Sequence, residues 1–421
     1  MNELLTATLG GILIITLTFF VVLIIGHKND VLLQSGTSFF IQITLASIFF
    51  YRFGLFEDAS LYSSIGTDIA GYWSRLNPIE FEGFNKRNQL PLTIISLFYL
   101  FFGPYPLLPI LFNCFLVALI PAFIASACHN FGLMKSAKIA AWFVILIPSI
   151  TLNGPWLRKE AQAFFLISVL ILAMSYLYKN QIIRGMLIGI FVIYLFSITR
   201  SQLMIVGIGG LFSSFFLNPA IISLYKIFSK KLQKRILLVG FVGSSLIILP
   251  IILYFYSIQG FRNSSGFDNL LKFNSDSSQA TANLGASWSV NTNPITFIYN
   301  LFRTLWGPPI WEWRNLSMVI FGLEGLFVLI ISFHAIISYY FNKKFRKVFL
   351  ILFITLMPLW ISSSLMLSNY GLNSRVRAHY LLFVIPIIAA YFGELSGHGF
   401  NRKPDNFKCN LKSRTFRKEI D

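Results

Sequence analysis

An all-α, polytopic transmembrane bundle is the fold class this sequence predicts, and three observations carry it. The chain has 421 residues, 56% of them hydrophobic with 45 Phe, and a mean hydropathy of +0.69. That is more apolar surface than a soluble chain of this length can hide. Apolar runs of about 15–23 residues recur from one end to the other, the length that crosses a hydrocarbon core. Charged residues are only 12% of the chain and gather between the runs. Inside a bilayer each segment must satisfy its own backbone N–H and C=O groups, so the runs read as helices. An outer-membrane barrel would show short alternating segments, and none is present.

Taken in order, eleven helices are expected near 4–26, 37–55, 105–127, 138–152, 161–178, 186–199, 202–217, 236–257, 316–338, 348–368 and 379–396. The first run lacks a basic leader and a small-residue cleavage site, so it reads as a retained span. With the N-terminus outside, the connections 27–36, 128–137, 179–185, 218–235 and 339–347 and the tail 397–421 are cytoplasmic. They hold 20 of the 34 Lys and Arg but four of the 16 acids. "YKIFSKKLQKR" and "FNKKFRK" are then positive-inside anchors, and the net charge of +18 reflects topology; no nucleic-acid partner is expected. Residues 1–396 form one membrane domain, followed by a basic tail. Cys114, Cys128 and Cys409 make neither a CxxC site nor a disulfide framework.

Two long outer segments, 56–104 and 258–315, are rich in Asn, Ser, Gly and Trp and carry many of the acids. In the first, Asp68 and Tyr72 of "GTDIAGYW" stand four apart and share a face on a short helix. "LTIISLFYLFFGPYP" follows, suited to lie along the interface as an amphipathic helix. The polar stretch 266–294, with Asp268 and Asp276, reads as an outer loop or lid. "LWGPPIWEWRN" packs three Trp around a Pro pair, in the manner of an interfacial belt. Glu324, two turns into an apolar helix, is expected to face the bundle and pair with a cation; Glu394 is expected to snorkel.

"NGPWLRKEAQAFF" places Arg158, Lys159 and Glu160 at the mouth of an apolar helix. Glu160 in the first turn suits the helix dipole, whereas Arg158 and Lys159 oppose it. Two readings are open: the bases snorkel to headgroups, or they bind an anion at the membrane surface. Arg200 stands between two apolar runs with no acid nearby in sequence, so it needs a partner or an aqueous cavity. "SNYGLNSRVRAHY" adds Arg375, Arg377 and His379. These bases come from three separate connections, against the positive-inside trend, and convergence on one anion is the economical reading. No phosphate-binding glycine motif stands in a strand-to-helix context, so no nucleotide or other cofactor is expected. No His pair at metal spacing is present, and a divalent metal on outer carboxylates stays open.

The order of these motifs resembles that of C-type (GT-C) integral-membrane glycosyltransferases, the superfamily with protein O-mannosyltransferases and the aminoarabinose transferase of lipid A. The resemblance runs through "GTDIAGYW", "QLPLTIISLFYLFFGPYPLLPILFNCFLVALIPAFIA", "IPSITLNGPWLRKEAQAFFLISVLIL", "GIFVIYLFSITRSQ" and "NYGLNSRVRAHYLLFVIPIIAAYF", from about 66 to 392. It implies a bundle with juxtamembrane helices on the outer face of the cell membrane. It implies a polyprenyl-phosphate sugar donor and a glycan, lipid or protein acceptor. Asp68 then corresponds to the base and Glu160 to the second acid of the site. Arg200, Arg375 and Arg377 correspond to phosphate-binding positions, with Tyr72, Arg158, Lys159 and His379 beside them. This chain departs from the pattern in its extra N-terminal span and its Arg-Lys-Glu triplet. A polysaccharide polymerase joining lipid-linked repeats is the alternative, separated by product length. A flippase would instead place charges at the bilayer midplane within internal repeats.

Overall fold

The computed structural model describes residues 2–55, 57–75, 88–218, 294–341, 343–366 and 370–395. The expected span 236–257, Asp268, Asp276 and the tail 397–421 lie outside them. Every element among the described residues is helical. In chain order they are α1 (Asn2–Lys28), α2 (Leu32–Phe53), α3 (Glu57–Ser74), α4 (Gln89–Phe102), α5 (Leu107–Asn130), α6 (Ala137–Leu146), α7 (Pro148–Asn153), α8 (Glu160–Tyr178), α9 (Ile182–Thr199), α10 (Gln202–Phe216), α11 (Pro294–Trp306), α12 (Leu316–Phe341), α13 (Lys343–Met366) and α14 (Tyr370–Ala390). Seven helices among the described residues are long and apolar enough to cross a membrane, which makes a multi-pass membrane protein of the chain.

Which helices lie inside follows from their sequences. α5, α8 and α14 are mostly buried, whereas α1, α2, α9 and α12 leave much of their surface exposed. On α1 Leu9, Ile12, Leu13, Leu17, Phe20, Val21 and Ile24 are exposed, a largely apolar face that suits lipid. α5 packs against α1, α2, α6 and α8; α8 packs against α9, α10 and α14. Small residues set the closest approaches. Gly185 and Gly189, one turn apart on α9, leave room for Leu177 of α8 and Leu211 of α10, which a Cβ at either glycine would crowd.

The expected span 138–152 is broken. Proline disfavours the helical region for the residue before it, and Ile147 is extended at φ −79°, ψ 111°, so α6 stops and α7 restarts at Pro148. The restart leaves the Ser149 N–H without a partner inside its helix, and that donor turns to Glu324. The last helix also differs from expectation. It starts at Tyr370, not near 379, because nothing in "NSRVRAH" opposes helix and Arg and Ala favour it. Arg375, Arg377 and His379 are therefore helical residues, with Arg375 and His379 on one face and Arg377 on the opposite one, not members of a loop.

The bundle has two chemically distinct ends. At one, Lys138 pairs with Asp30 at 2.8 Å, Lys179 donates to Asn130, and Asn218 donates to the Leu177 carbonyl. At the other lie the α2–α3 junction, the 154–159 loop, the α9–α10 turn and the start of α14. Ion pairs between them hold these four places together.

Candidate functional site

At that second end the scaffold comes first. Asn113 of α5, 3% exposed, looks misplaced in an apolar helix. Its amide donates to the carbonyls of Trp156 (2.7 Å) and Arg158 (3.2 Å), which no helix satisfies. The Trp156 ring stacks on Phe49 of α2 at 4.8 Å, and its indole N–H donates to Leu152. The "NGPW" turn is thereby pinned between α2 and α5. The bases that follow it are held in place: Arg158 lies 5.4 Å above the Trp156 ring, and Lys159 donates to Asn88 at 2.9 Å.

Glu160 opens α8 and is 3% exposed. A carboxylate so placed needs both donors and countercharge. It has the helix N-terminus and Arg200, whose guanidinium donates to Oε1 at 2.9 Å. Arg200 follows α9 in an extended conformation and so leaves the helix to reach across. Arg200 thereby gains the acid its own stretch of sequence lacks, and the pair offsets the desolvation of both charges.

A second carboxylate completes the cluster, and the sequence reading did not single it out. Asp58, in the first turn of α3, accepts from Arg375 at 2.9 Å and lies 3.7 Å from Arg158. Burial opposes its ionisation, but the hydrogen bond and charge of Arg375, with Arg158 and Lys159 behind, outweigh burial and hold the carboxyl below its ordinary value. Arg158 is pushed down by burial first and by Arg375 next, and the two guanidiniums share one carboxylate oxygen of Asp58. Tyr62, one turn after Asp58, looks onto Glu160, Arg200, Asp58 and Arg158. Burial and then the Glu160 charge push its hydroxyl up, so it stays protonated as a donor.

The residues expected from sequence divide into three groups. Arg158, Lys159, Glu160, Arg200 and Arg375 come together. His379 lies just beneath, fully buried, its ring 5.1 Å from Phe164 and its Nδ1 3.1 Å from the Val376 carbonyl. Arg377 points elsewhere. It is 1% exposed, 3.1 Å from Glu324, and donates to the Phe321 carbonyl at 2.9 Å. Glu324 also accepts from the Ser149 N–H at 2.6 Å and from the Ser149 hydroxyl. Arg377 thus closes a buried network with α7 and α12 and turns away from the basic cluster. Asp68 and Tyr72 form the third group. Both are exposed, and their side chains make no ion pair or hydrogen bond with a described residue. Ten residues separate Asp68 from Asp58, about 15 Å along the helix.

A signal for Asp58 was present. The spacing Asp-x3-Tyr occurs twice on α3, as Asp58/Tyr62 and as Asp68/Tyr72. Only the first copy stands at the start of a helix just after an apolar span, level with the bases of the other connections. Asn113 and Ser149 carry no such signal. Among the described residues no three of His, Cys, Asp or Glu gather as a metal site; Cys114 and Cys128 are buried thiols.

The arrangement can bind an anion beside two carboxylates at one end of an apolar bundle. Comparison with protein families, curated proteins and solved structures finds no match for this chain.

Proposed function

We propose that the protein is a membrane glycosyltransferase of GT-C type, with about eleven spans. It acts at the extracytoplasmic face of the plasma or inner membrane. It moves a sugar from a polyprenyl-phosphate donor to a glycan, lipid or protein acceptor in cell-surface polysaccharide synthesis. One observation carries this reading: Arg158, Lys159, Arg200 and Arg375 gather with Asp58 and Glu160 at one end of a bundle of apolar helices. A lipid phosphate brings its anion to that level while its chain stays in the bilayer.

The chemistry follows from the donors available. The acceptor hydroxyl attacks the anomeric carbon and forms the new C–O bond. The bond from that carbon to the phosphate oxygen breaks, and its electron pair stays on the phosphate. Guanidinium N–H groups of Arg158 and Arg375 stabilise the growing charge, so no strong general acid is required. The acceptor proton goes to a carboxylate. Asp58 takes the role expected of Asp68, because it is the exposed acid beside the arginines. Glu160, tied to Arg200, orients the site. Displacement in one step inverts the anomeric centre.

The test is transfer of radiolabelled sugar from native lipid-linked donor, in membranes, by the wild type and by Asp58→Asn, Asp68→Asn and Arg375→Ala at matched expression. The reading expects loss with Asp58→Asn and Arg375→Ala and retention with Asp68→Asn. Loss confined to Asp68→Asn returns the base to that residue. Ladders of product identify the polymerase, which the same paired arginines suit. Translocation of sugar-lipid without transfer by the wild type identifies a transporter.

A further inference from the structure

Asp58 fills the gap between two arginines: 2.9 Å from Arg375 on one side and 3.7 Å from Arg158 on the other. Both arginines stand on well-packed parts of the molecule. Arg375 belongs to α14, and the carbonyl of Arg158 is held by Asn113. The Asp58 side chain itself is 54% exposed, although its neighbour Ala59 is buried; it belongs to the first turn of α3, which packs chiefly on α4. α3 joins α2 through Gly54 at φ +64°, where a side chain would meet nothing within 4 Å. Few residues other than glycine adopt that conformation readily.

An anion reaching Arg158 and Arg375 therefore finds the place taken. Carboxylate and phosphate oxygens accept the same guanidinium donors in the same bidentate geometry, so the two compete. We propose that Asp58 is a built-in stand-in for the ligand phosphate, closing the arginine pair until a lipid phosphate displaces it and the first turn of α3 swings away about Gly54. This rests on the phosphate-binding reading above. It adds order to that reading, because the carboxylate becomes free of its countercharges only when the donor is seated. The groups facing Asp58 are Arg375 of α14, Arg158 and Lys159 of the loop before α8, and Tyr62 of its own helix. Each one except Tyr62 is a cation that a phosphate can recruit. A neutral lipid offers no replacement acceptor, so it leaves the contact closed.

The experiment uses the full chain in detergent micelles, with geranyl phosphate as probe and geraniol as the uncharged control. Asp58→Asn keeps the side chain's size and removes its charge. It is expected to bind geranyl phosphate about two- to fivefold more tightly than the wild type, the gain from freeing one half-exposed ion pair, with geraniol binding unchanged. Hydrogen exchange on the wild type supplies a readout that needs no variant. Geranyl phosphate is expected to raise exchange over 57–62 and lower it over 154–160. Equal or weaker binding by Asp58→Asn, or protection of both segments together, overturns the stand-in role while leaving the phosphate site intact. Binding of geranyl phosphate no stronger than geraniol by both proteins removes the phosphate site, and the inference with it.

Discussion

Arg375 and Arg377 stand two residues apart on α14 and lead opposite lives. Two residues are about 200° around a helix, so one side chain faces the basic cluster and the other faces α12. Arg375 is 26% exposed and its partner Asp58 54%; Arg377 and Glu324 are each 1% exposed. In water an ion pair costs little to break, because solvent takes over each charge. In the interior nothing takes over, and the survivor of a broken pair is a desolvated charge. The exposed pair can therefore exchange partners with a ligand, while the buried pair can only hold helices together. Glu324 adds two donors from Ser149, so the buried network ties α7, α12 and α14, and it supports the helix that presents Arg375.

The sharpest way to break this contrast is Glu324→Ala, which strands Arg377. A loss of about 3–5 kcal/mol is expected, seen as a large drop in the thermal midpoint of the solubilised protein. An unchanged midpoint would show that the buried pair is not structural. Next comes Arg375→Ala. It is expected to cost under about 1 kcal/mol of stability. Sugar transfer should nevertheless fall about 10²- to 10³-fold, as when a donor to a developing anion is removed. A variant that loses stability and activity in parallel would erase the distinction between the two arginines. Gly325→Ala is smaller. Its Cβ would overlap the Trp306 carbonyl, where α12 passes the turn after α11, and about 1–3 kcal/mol is expected from overpacking. Thermal unfolding of that variant beside Gly71→Ala, where a Cβ meets nothing within 4 Å, isolates the steric part.

The smallest effect is on pH. Asp58 has a folded pKa below its ordinary value, so its contribution is fully present above the unfolded carboxyl range, near about 3.9. It is lost as pH falls through the lowered folded value. Because the pair is half exposed, only a fraction of a kcal/mol is at stake. Midpoints measured from pH 5 down to 3 should therefore fall slightly more for the wild type than for Arg375→Ala. Parallel curves would show that Asp58 draws nothing from Arg375.

Much of the architecture was written in local chemistry. The long apolar runs became helices because a bilayer allows little else, and nine of the expected spans begin within five residues of the observed helices. Glu324 found the cation that an acid inside an apolar helix requires. The same local logic misplaces the last helix, because the polar residues of "NSRVRAH" read as a connection, whereas they are helix faces with partners. It also read 138–152 as continuous, although Pro148 carries its own break and that break supplies Ser149 to Glu324.

Pairing was another matter. Periodicity, helix-dipole preference and the cost of an isolated charge are set by a residue and its near neighbours, so they put Glu160 at a helix start and demanded a partner for Arg200. They do not say that these two meet. Which acid faces Arg375 depends on where α3 leaves α2 and how it lies on α4, and the Asp-x3-Tyr spacing alone, present twice on α3, does not choose between them. Arg375 and Arg377 read alike in one dimension. The packing of α12 and α7 against one side of α14, and the ion pair from Arg375 to Asp58 of α3 on the other, made one of them a strut and the other an open hand, because burial is a property of neighbours brought from far along the chain.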